Sequence, residues 1–475
     1  MKGNVRRNWH VKKVNAVILV FILSCLVFSL PVYAAKEYQL KTKIKNTVRA
    51  VGEYKNWEGV SNVSQFIGAD GEFWFAYDGK TDVTVVSTLD GVIKNKVRLV
   101  KQHETFGAVC ADNLGHFYVV TGEKNTGNNE DTETVFITKY DSGGNVISTV
   151  GNKGDSSISY FMEGFGTKAP FDASNCDIDI NGKYLAVNYG RTMYNGHQSN
   201  SVWIIDTDTM KTVKVPEDEN VGTGTLDIPN KASDIYSSHS FAQRAVKYGA
   251  GFLFASEGDA YERAFTISQW NLSQNYIKEE DVFHFWIKEG SSADMSIVNN
   301  NYAHMGDIAV LSNGNAAFTA TSVKSMSSLA ENENEQIFLQ IFKPDSDLEK
   351  ESGYVTSGER SGMSGVTGTV PVTDHGIKWI TDDDKFLYRH PQLVSSGDKL
   401  ILLYEKCVKK TQKIKGVYYM ILDSSGNVLQ DSKKFKKSAS LNPCEPPVCI
   451  NNCVYWVSNK ASKKGKMFVY KIDIA

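Results

Sequence analysis

Three histidines stand in comparable settings. His239 lies in Ser237-Ser238-His239-Ser240, His304 in Tyr302-Ala303-His304 and His390 in Arg389-His390-Pro391. Each precedes an alternating apolar stretch, so each sits where a β-strand begins. Other strands close on a second polar set: Asn188-Tyr189-Gly190-Arg191, Glu257-Gly258-Asp259-Ala260-Tyr261 and Tyr404-Glu405-Lys406. Tyr194 and His197 follow in RTMYNGHQSN, Arg263 follows Tyr261, and Arg244 and Glu445 complete the group. The candidate binding residues are therefore Tyr189, Arg191, Tyr194, His197, Arg244, Asp259, His304, Arg389, His390, Glu405 and Glu445.

Such side chains suit three kinds of work. One is β-elimination on a uronate polysaccharide. An Arg or a divalent metal offsets the carboxylate, a His or Tyr takes the α-proton, and a Tyr protonates the leaving oxygen. His239, Tyr261 and Arg263 are the catalytic candidates for that reading, and His239, His304 and His390 are the candidate metal ligands. Hydrolysis by paired carboxylates would draw on Glu257, Asp259, Glu405 and Glu445, but needs a separation that sequence does not supply. The third is binding without catalysis, with Trp57, Tyr189 and Tyr404 as stacking faces for a glycan or peptide. With no enzyme signature in the chain, binding is the leading expectation and a lyase the alternative.

What must position these groups is a repeat. A strand, a Gly or Asn turn and a second apolar strand recur around Gly71, Gly115, Gly182, Gly251, Gly314, Gly397 and Asn452. A further strand and a polar outer strand follow most copies, as in VFITKYDSGGNVIST and VYYMILDSSGNVLQD, which share an Asp-x-x-Gly-Asn-Val turn at Asp141 and Asp423. Seven four-stranded antiparallel units predict an all-β, seven-bladed propeller. The chain stops after a third strand, MFVYKIDIA, so EYQLKTKIKNTV near the N-terminus is expected to supply the missing outer strand and close the ring. Starts of first strands and ends of second strands share one end of such a ring, which gathers the polar set at one mouth. Two stacked β-domains are the rival, disfavoured by evenly spaced hairpins without a linker. Long insertions are expected near 271–302 and 345–388, and a short helix near Ser325–Glu335.

The N-terminus reads differently. Lys2, Arg6, Arg7, Lys12 and Lys13 precede an apolar run from Val14 to Leu30 and the sequence PVYAA. That is a signal-peptide pattern, cut after Ala34 or Ala35, leaving 36–475 as one propeller domain; an uncleaved anchor is the alternative. The whole chain carries 52 basic and 54 acidic residues, a formal charge of −2, and loses five basic residues with residues 1–35. An acidic exported monomer with an extracellular glycan or protein ligand is expected, and nucleic acid is disfavoured as partner. Six cysteines remain in the exported chain. Cys449–Cys453, Cys407–Cys444 and Cys110–Cys176 are the candidate disulfides.

SSHSFAQR (237–244) and EGDAYERAF (257–265) resemble an uncharacterised group of secreted β-propeller proteins with a Ser-His-Ser-Phe-x-Gln-Arg and Asp-Ala-Tyr pair. That resemblance implies fold and export, and no particular activity.

Overall fold

In the computed structural model the chain is a seven-bladed β-propeller. The structure describes residues 35–40, 47–50, 59–89, 92–154, 164, 166–172, 174–213, 235, 237, 239–258, 264–273, 276–284, 303–324, 335–344, 359–361, 367–369, 377–435, 438–459 and 466–474. The signal segment, Trp57, Asp259, Tyr261, Arg263 and nearly all of the expected helix near Ser325–Glu335 lie outside these residues.

Each blade is a four-stranded antiparallel sheet, its strands here lettered A to D from the axis outward. Blade 1 runs Val63–Ile67, Phe73–Asp78, Asp82–Leu89 and Val92–Val100. Blade 2 is Thr105–Ala111, Phe117–Gly122, Val135–Tyr140 and Val146–Asn152. Blade 3 is Cys176–Asn181, Tyr184–Met193, Gln198–Asp206 and Lys211–Thr212, with Thr167–Pro170 added beside the end of strand B. Blade 4 is Ser240–Tyr248, Gly251–Gly258, Ala264–Asn271 and Tyr276–His284. Blade 5 is His304–Val310, Ala316–Ser322, Gln336–Phe342 and Ile377–Trp379. Blade 6 is Phe386–Ser396, Lys399–Val408, Lys413–Asp423 and Val428–Lys434. Blade 7 is Val448–Ile450, Cys453–Asn459 and Met467–Asp473, and its strand D is the N-terminal Ala35–Leu40, paired antiparallel with Met467–Ile472.

The two expected insertions are shorter than the sequence suggests. Tyr276–His284 is strand D of blade 4, and Ile377–Trp379 is strand D of blade 5. Their charged, uneven composition hides them because outer strands face water on one side.

Seven buried apolar clusters fill the ring, one in each interface between neighbouring blades. Leu253 and Phe265 of blade 4 meet Phe318 and Phe338 of blade 5, for example. Val63 and Phe73 of blade 1 meet Val457 and Val469 of blade 7, which closes the circle. Strands B and C are thus largely buried, whereas strand D of blades 1, 2 and 6 is largely exposed. The repeated turns are built alike: Asp141 Oδ1 accepts from the amides of Gly143 and Asn145 at 2.9 and 2.8 Å. Asp423 Oδ1 does the same for Ser425 and Asn427, both at 2.8 Å.

None of the six described cysteines forms a disulfide, which corrects the three candidate pairings. Cys449 lies opposite Val454 and Cys453 opposite Ile450. Side chains alternate along a strand, so these two thiols point to opposite faces of the sheet. The Cys444 thiol donates to the Gly59 carbonyl at 2.9 Å, on the blade 1 side and away from Cys407 of blade 6. Cys176 lies level with Gly107, three residues and roughly 10 Å along the strand from Cys110.

Deleting residues 35–40 should leave the Met467–Asp473 edge unpaired. The truncated protein is expected to melt several degrees lower and to aggregate on heating, by calorimetry and light scattering. An unchanged melting temperature would show that ring closure does not depend on this strand.

Candidate functional site

The mouth is best built outward from the axis. Strand A is the inner edge of each sheet, so its backbone groups need partners from elsewhere. Side chains of the preceding blade provide them. Ser64 Oγ accepts from the Val109 amide at 2.9 Å, Asp177 Oδ2 from Ala245 at 2.9 Å and Asp179 Oδ2 from Lys247 at 2.7 Å. Asp307 Oδ2 accepts from Leu393 at 3.2 Å, and Glu445 Oε1 from Gln65 at 2.6 Å. Glu257 Oε2 and Glu405 Oε1, at the ends of B strands, accept from Met305 and Leu441, each at 3.0 Å.

Arg244 is 1% exposed and lies among three of these acids. Its Nε stands 3.5 Å from Asp307 Oδ1, and an Nη donates to the Pro443 carbonyl at 2.6 Å. Burial raises the pKa of Asp177 to about 6 and of Asp307 to about 7, against the opposing pull of Arg244. Burial, with Asp177 and Asp307 nearby, pushes Glu445 well above the usual carboxylate range. One guanidinium is too little charge for three enclosed carboxylates. Arg244 and Glu445, both predicted to bind ligand, are instead axial structural groups.

Two polar groups lie farther out on the rim. In the first, His197 Nδ1 stands 3.3 Å from His239 Nε2, with the rings 5.1 Å apart and inclined at 87°. The His239 amide donates to the Gln198 carbonyl at 2.6 Å, which ties the two backbones together. The second joins blades 5 and 6. His390 Nδ1 lies 3.1 Å from Glu405 Oε2, and Arg389 Nε lies 3.6 Å from Glu335 Oε2. Arg389 also donates to Gln412 Oε1. The side chains of Arg389 and His390 are 35% and 39% exposed while their carboxylate partners are buried, so a guanidinium and an imidazole reach solvent on fixed supports. Desolvation of His304, with His390 and Arg389 close by, lowers its pKa to about 4 and keeps it neutral at physiological pH.

The three histidines are not equivalent in register. A bulge interrupts strand A of blades 4, 5 and 6. His239 and His304 each come one residue before the last pair preceding it, Ser240 opposite Gly258 and Met305 opposite Ala320. His390 comes one residue after the matching pair, Arg389 opposite Glu405, and so lies in the bulge itself. His239 and His390 have φ of 49° and 50°, a conformation uncommon for residues other than glycine.

Several predicted ligand-binding residues belong to the framework. Tyr189 is enclosed in the core between blades 2 and 3. Arg191 is fully buried, its Nε on Ser199 Oγ at 3.0 Å and Nη1 on the Gly154 carbonyl at 2.9 Å. Tyr404 is buried, its hydroxyl 2.6 Å from Ser432 Oγ, which removes it as a stacking face. Tyr194 is half-buried, its hydroxyl 3.1 Å from the Asn129 carbonyl. The expectation that His239, His304 and His390 share a metal fails: among the described residues no three His, Cys, Asp or Glu side chains form a group that could hold one. Sequence reasoning missed Asp177, Asp307 and Glu335. Asp177 and Asp179 did carry a signal, as acids two apart in an innermost strand, CDIDIN.

No protein-family model matches the chain, and no curated protein does. Among solved structures the chain is similar to a polysaccharide lyase of family PL25, an ulvan lyase, at 9% identity and a TM-score of 0.44, covering 90% of this chain and 95% of that one. It is similar to a Trypanosoma rangeli sialidase at 10% identity and a TM-score of 0.38, covering 81% and 59%. Similarity to the Bacillus subtilis arabinanase Arb43A is 12% identity at a TM-score of 0.25, over 64% and 97%. These likenesses are too distant to carry an argument about activity.

Folded-state carboxyl pKa values raised above the unfolded value mean that Asp177 and Asp307 stabilise the fold most below about pH 4, and that this stability is lost as pH rises through about 6 and 7. Asp307→Asn should flatten the fall in stability between about pH 4 and 7, measured by urea unfolding across pH. A slope identical to wild type would show that Asp307 does not titrate in that window.

Proposed function

We propose that the protein is exported and binds an extracellular glycan, with acidic sugars preferred, at the mouth formed by blades 3 to 6. One observation carries this reading: Arg389 and His390 are half-buried at the rim, open to solvent on one side, while buried Glu335 and Glu405 hold them in place. Imidazole and guanidinium donors fixed in this way suit sugar hydroxyls and carboxylates, and little ordering is needed on binding. His197, His239 and His304 extend the same polar surface. Export rests on the basic n-region, the apolar run and the PVYAA site, and on the resemblance of SSHSFAQR to secreted propellers. Among the described residues no helix is long and apolar enough to cross a membrane.

A glycan array of uronate, sulfated and neutral sugars tests the reading. Wild type should retain acidic glycans, and Arg389→Ala and His390→Ala should each weaken retention about tenfold, the loss of one charge-assisted hydrogen bond. Equal retention by wild type and both variants would remove these residues from the site.

A second reading, β-elimination on a uronate polysaccharide, is favoured by His304. It is neutral above about pH 4 and lies beside Arg389, so an acceptor for an α-proton adjoins a cation for the carboxylate. Incubation with uronate polysaccharides should then yield an unsaturated, ultraviolet-absorbing product that His304→Ala does not form. No absorbance change across a broad panel of substrates leaves binding as the function.

A further inference from the structure

The His197–His239 pair differs from the other rim histidines in that imidazole faces imidazole. A nitrogen–nitrogen distance of 3.3 Å lies at the long end for an N–H hydrogen bond. It does match two nitrogens on one tetrahedral ion. Zinc–nitrogen bonds of about 2.0–2.1 Å at the tetrahedral angle set their nitrogens about 3.3 Å apart. The rings are inclined at 87° and do not stack, which leaves the edge nitrogens rather than the ring faces nearest each other.

The backbone holds both residues in place before any ion arrives. His197 ends a tight turn in which the Met193 amide donates to the His197 carbonyl at 2.9 Å and the Gly196 amide to the Met193 carbonyl at 3.1 Å. The His197 amide is bound by Asn195 Oδ1 at 3.0 Å, and Gly196 takes a φ of 86° that other residues seldom adopt. His239 has its own positive φ and its bond to the Gln198 carbonyl. His197 is exposed and His239 half-buried, so an ion has access from solvent.

We propose that Nδ1 of His197 and Nε2 of His239 bind a late first-row divalent ion of the zinc type, for which imidazole is a preferred ligand. Water or an oxygen of a bound molecule would complete its coordination. This two-histidine site is separate from the His304–His390 group, and it does not rest on the glycan reading, because the ion is tested with no sugar present.

The test uses the untagged exported chain titrated with cobalt(II), whose visible absorption reports coordination, and with zinc in competition against a coloured chelator. Wild type should bind one equivalent. His197→Ala and His239→Ala should each weaken binding tenfold or more, and His197→Gln should behave like His197→Ala while keeping the wild-type melting temperature. His304→Ala/His390→Ala and Cys449→Ser/Cys453→Ser should bind as wild type does. Undiminished binding by His197→Ala/His239→Ala, loss of binding in the cysteine variant, or no binding by wild type would each overturn the proposal.

Discussion

The ring depends on how the inner edge of each sheet is satisfied. An A strand pairs with its own B strand on one side only, and its other backbone groups face the crowded axis, where water is scarce. An amide buried there without a partner costs about 1–3 kcal/mol, comparable to a sizeable share of a domain's net stability. The molecule meets this demand blade to blade, with Ser64, Asp177, Asp179, Asp307 and Glu445 each accepting from an amide of the next A strand. Apolar packing between blades is non-directional. These bonds are directional, and they fix the height at which one blade meets the next.

That solution has an electrostatic consequence. A carboxylate is a strong acceptor, but three of them around one guanidinium leave uncompensated charge in a poorly hydrated space. The raised pKa values of Asp177, Asp307 and Glu445 express this, since a proton taken up there replaces a missing counter-charge. A carboxylic acid still accepts an amide hydrogen through its carbonyl oxygen, so the bond between blades survives protonation. The axis is therefore held by groups whose structural role does not require them to be charged.

Much of this architecture was legible in the chain. Seven turns at Gly or Asn, the duplicated turns at Asp141 and Asp423, and a missing outer strand at the C-terminal end sufficed for blade count and ring closure, because tight turns constrain residue type strongly. Outer strands were harder. Tyr276–His284 is interrupted by the charged run Lys278-Glu279-Glu280-Asp281 and Ile377–Trp379 pairs at three positions, so neither shows a clean alternation. Site residues were legible as a rim but not as roles. Arg191, Arg244 and Tyr189 have the side chains of binding residues, yet two anchor the frame and one packs in a core. Chemistry alone does not distinguish a guanidinium that binds a ligand from one that binds neighbouring carbonyls. The bulges were also invisible, and a shift of two residues separates His390 from the position shared by His239 and His304.

Glu405 shows why frame and site cannot be fully separated. Its Oε1 accepts the Leu441 amide and joins blade 6 to blade 7, while its Oε2 faces His390 Nδ1. The bond to Leu441 fixes the carboxyl plane, and that plane sets the direction from which the imidazole is held. His390 is further confined by a positive φ inside a bulge, so neither its backbone nor its ring is free to drift. Glu257 does similar work in blade 4 from one position nearer the turn of strand B, where its Oε2 accepts the Met305 amide one residue beyond His304. In both cases the residue that locks one blade to the next sits beside an imidazole of the rim. Ring closure thereby preorganises the mouth, and the same bonds that settle the height of each blade settle where its polar groups point.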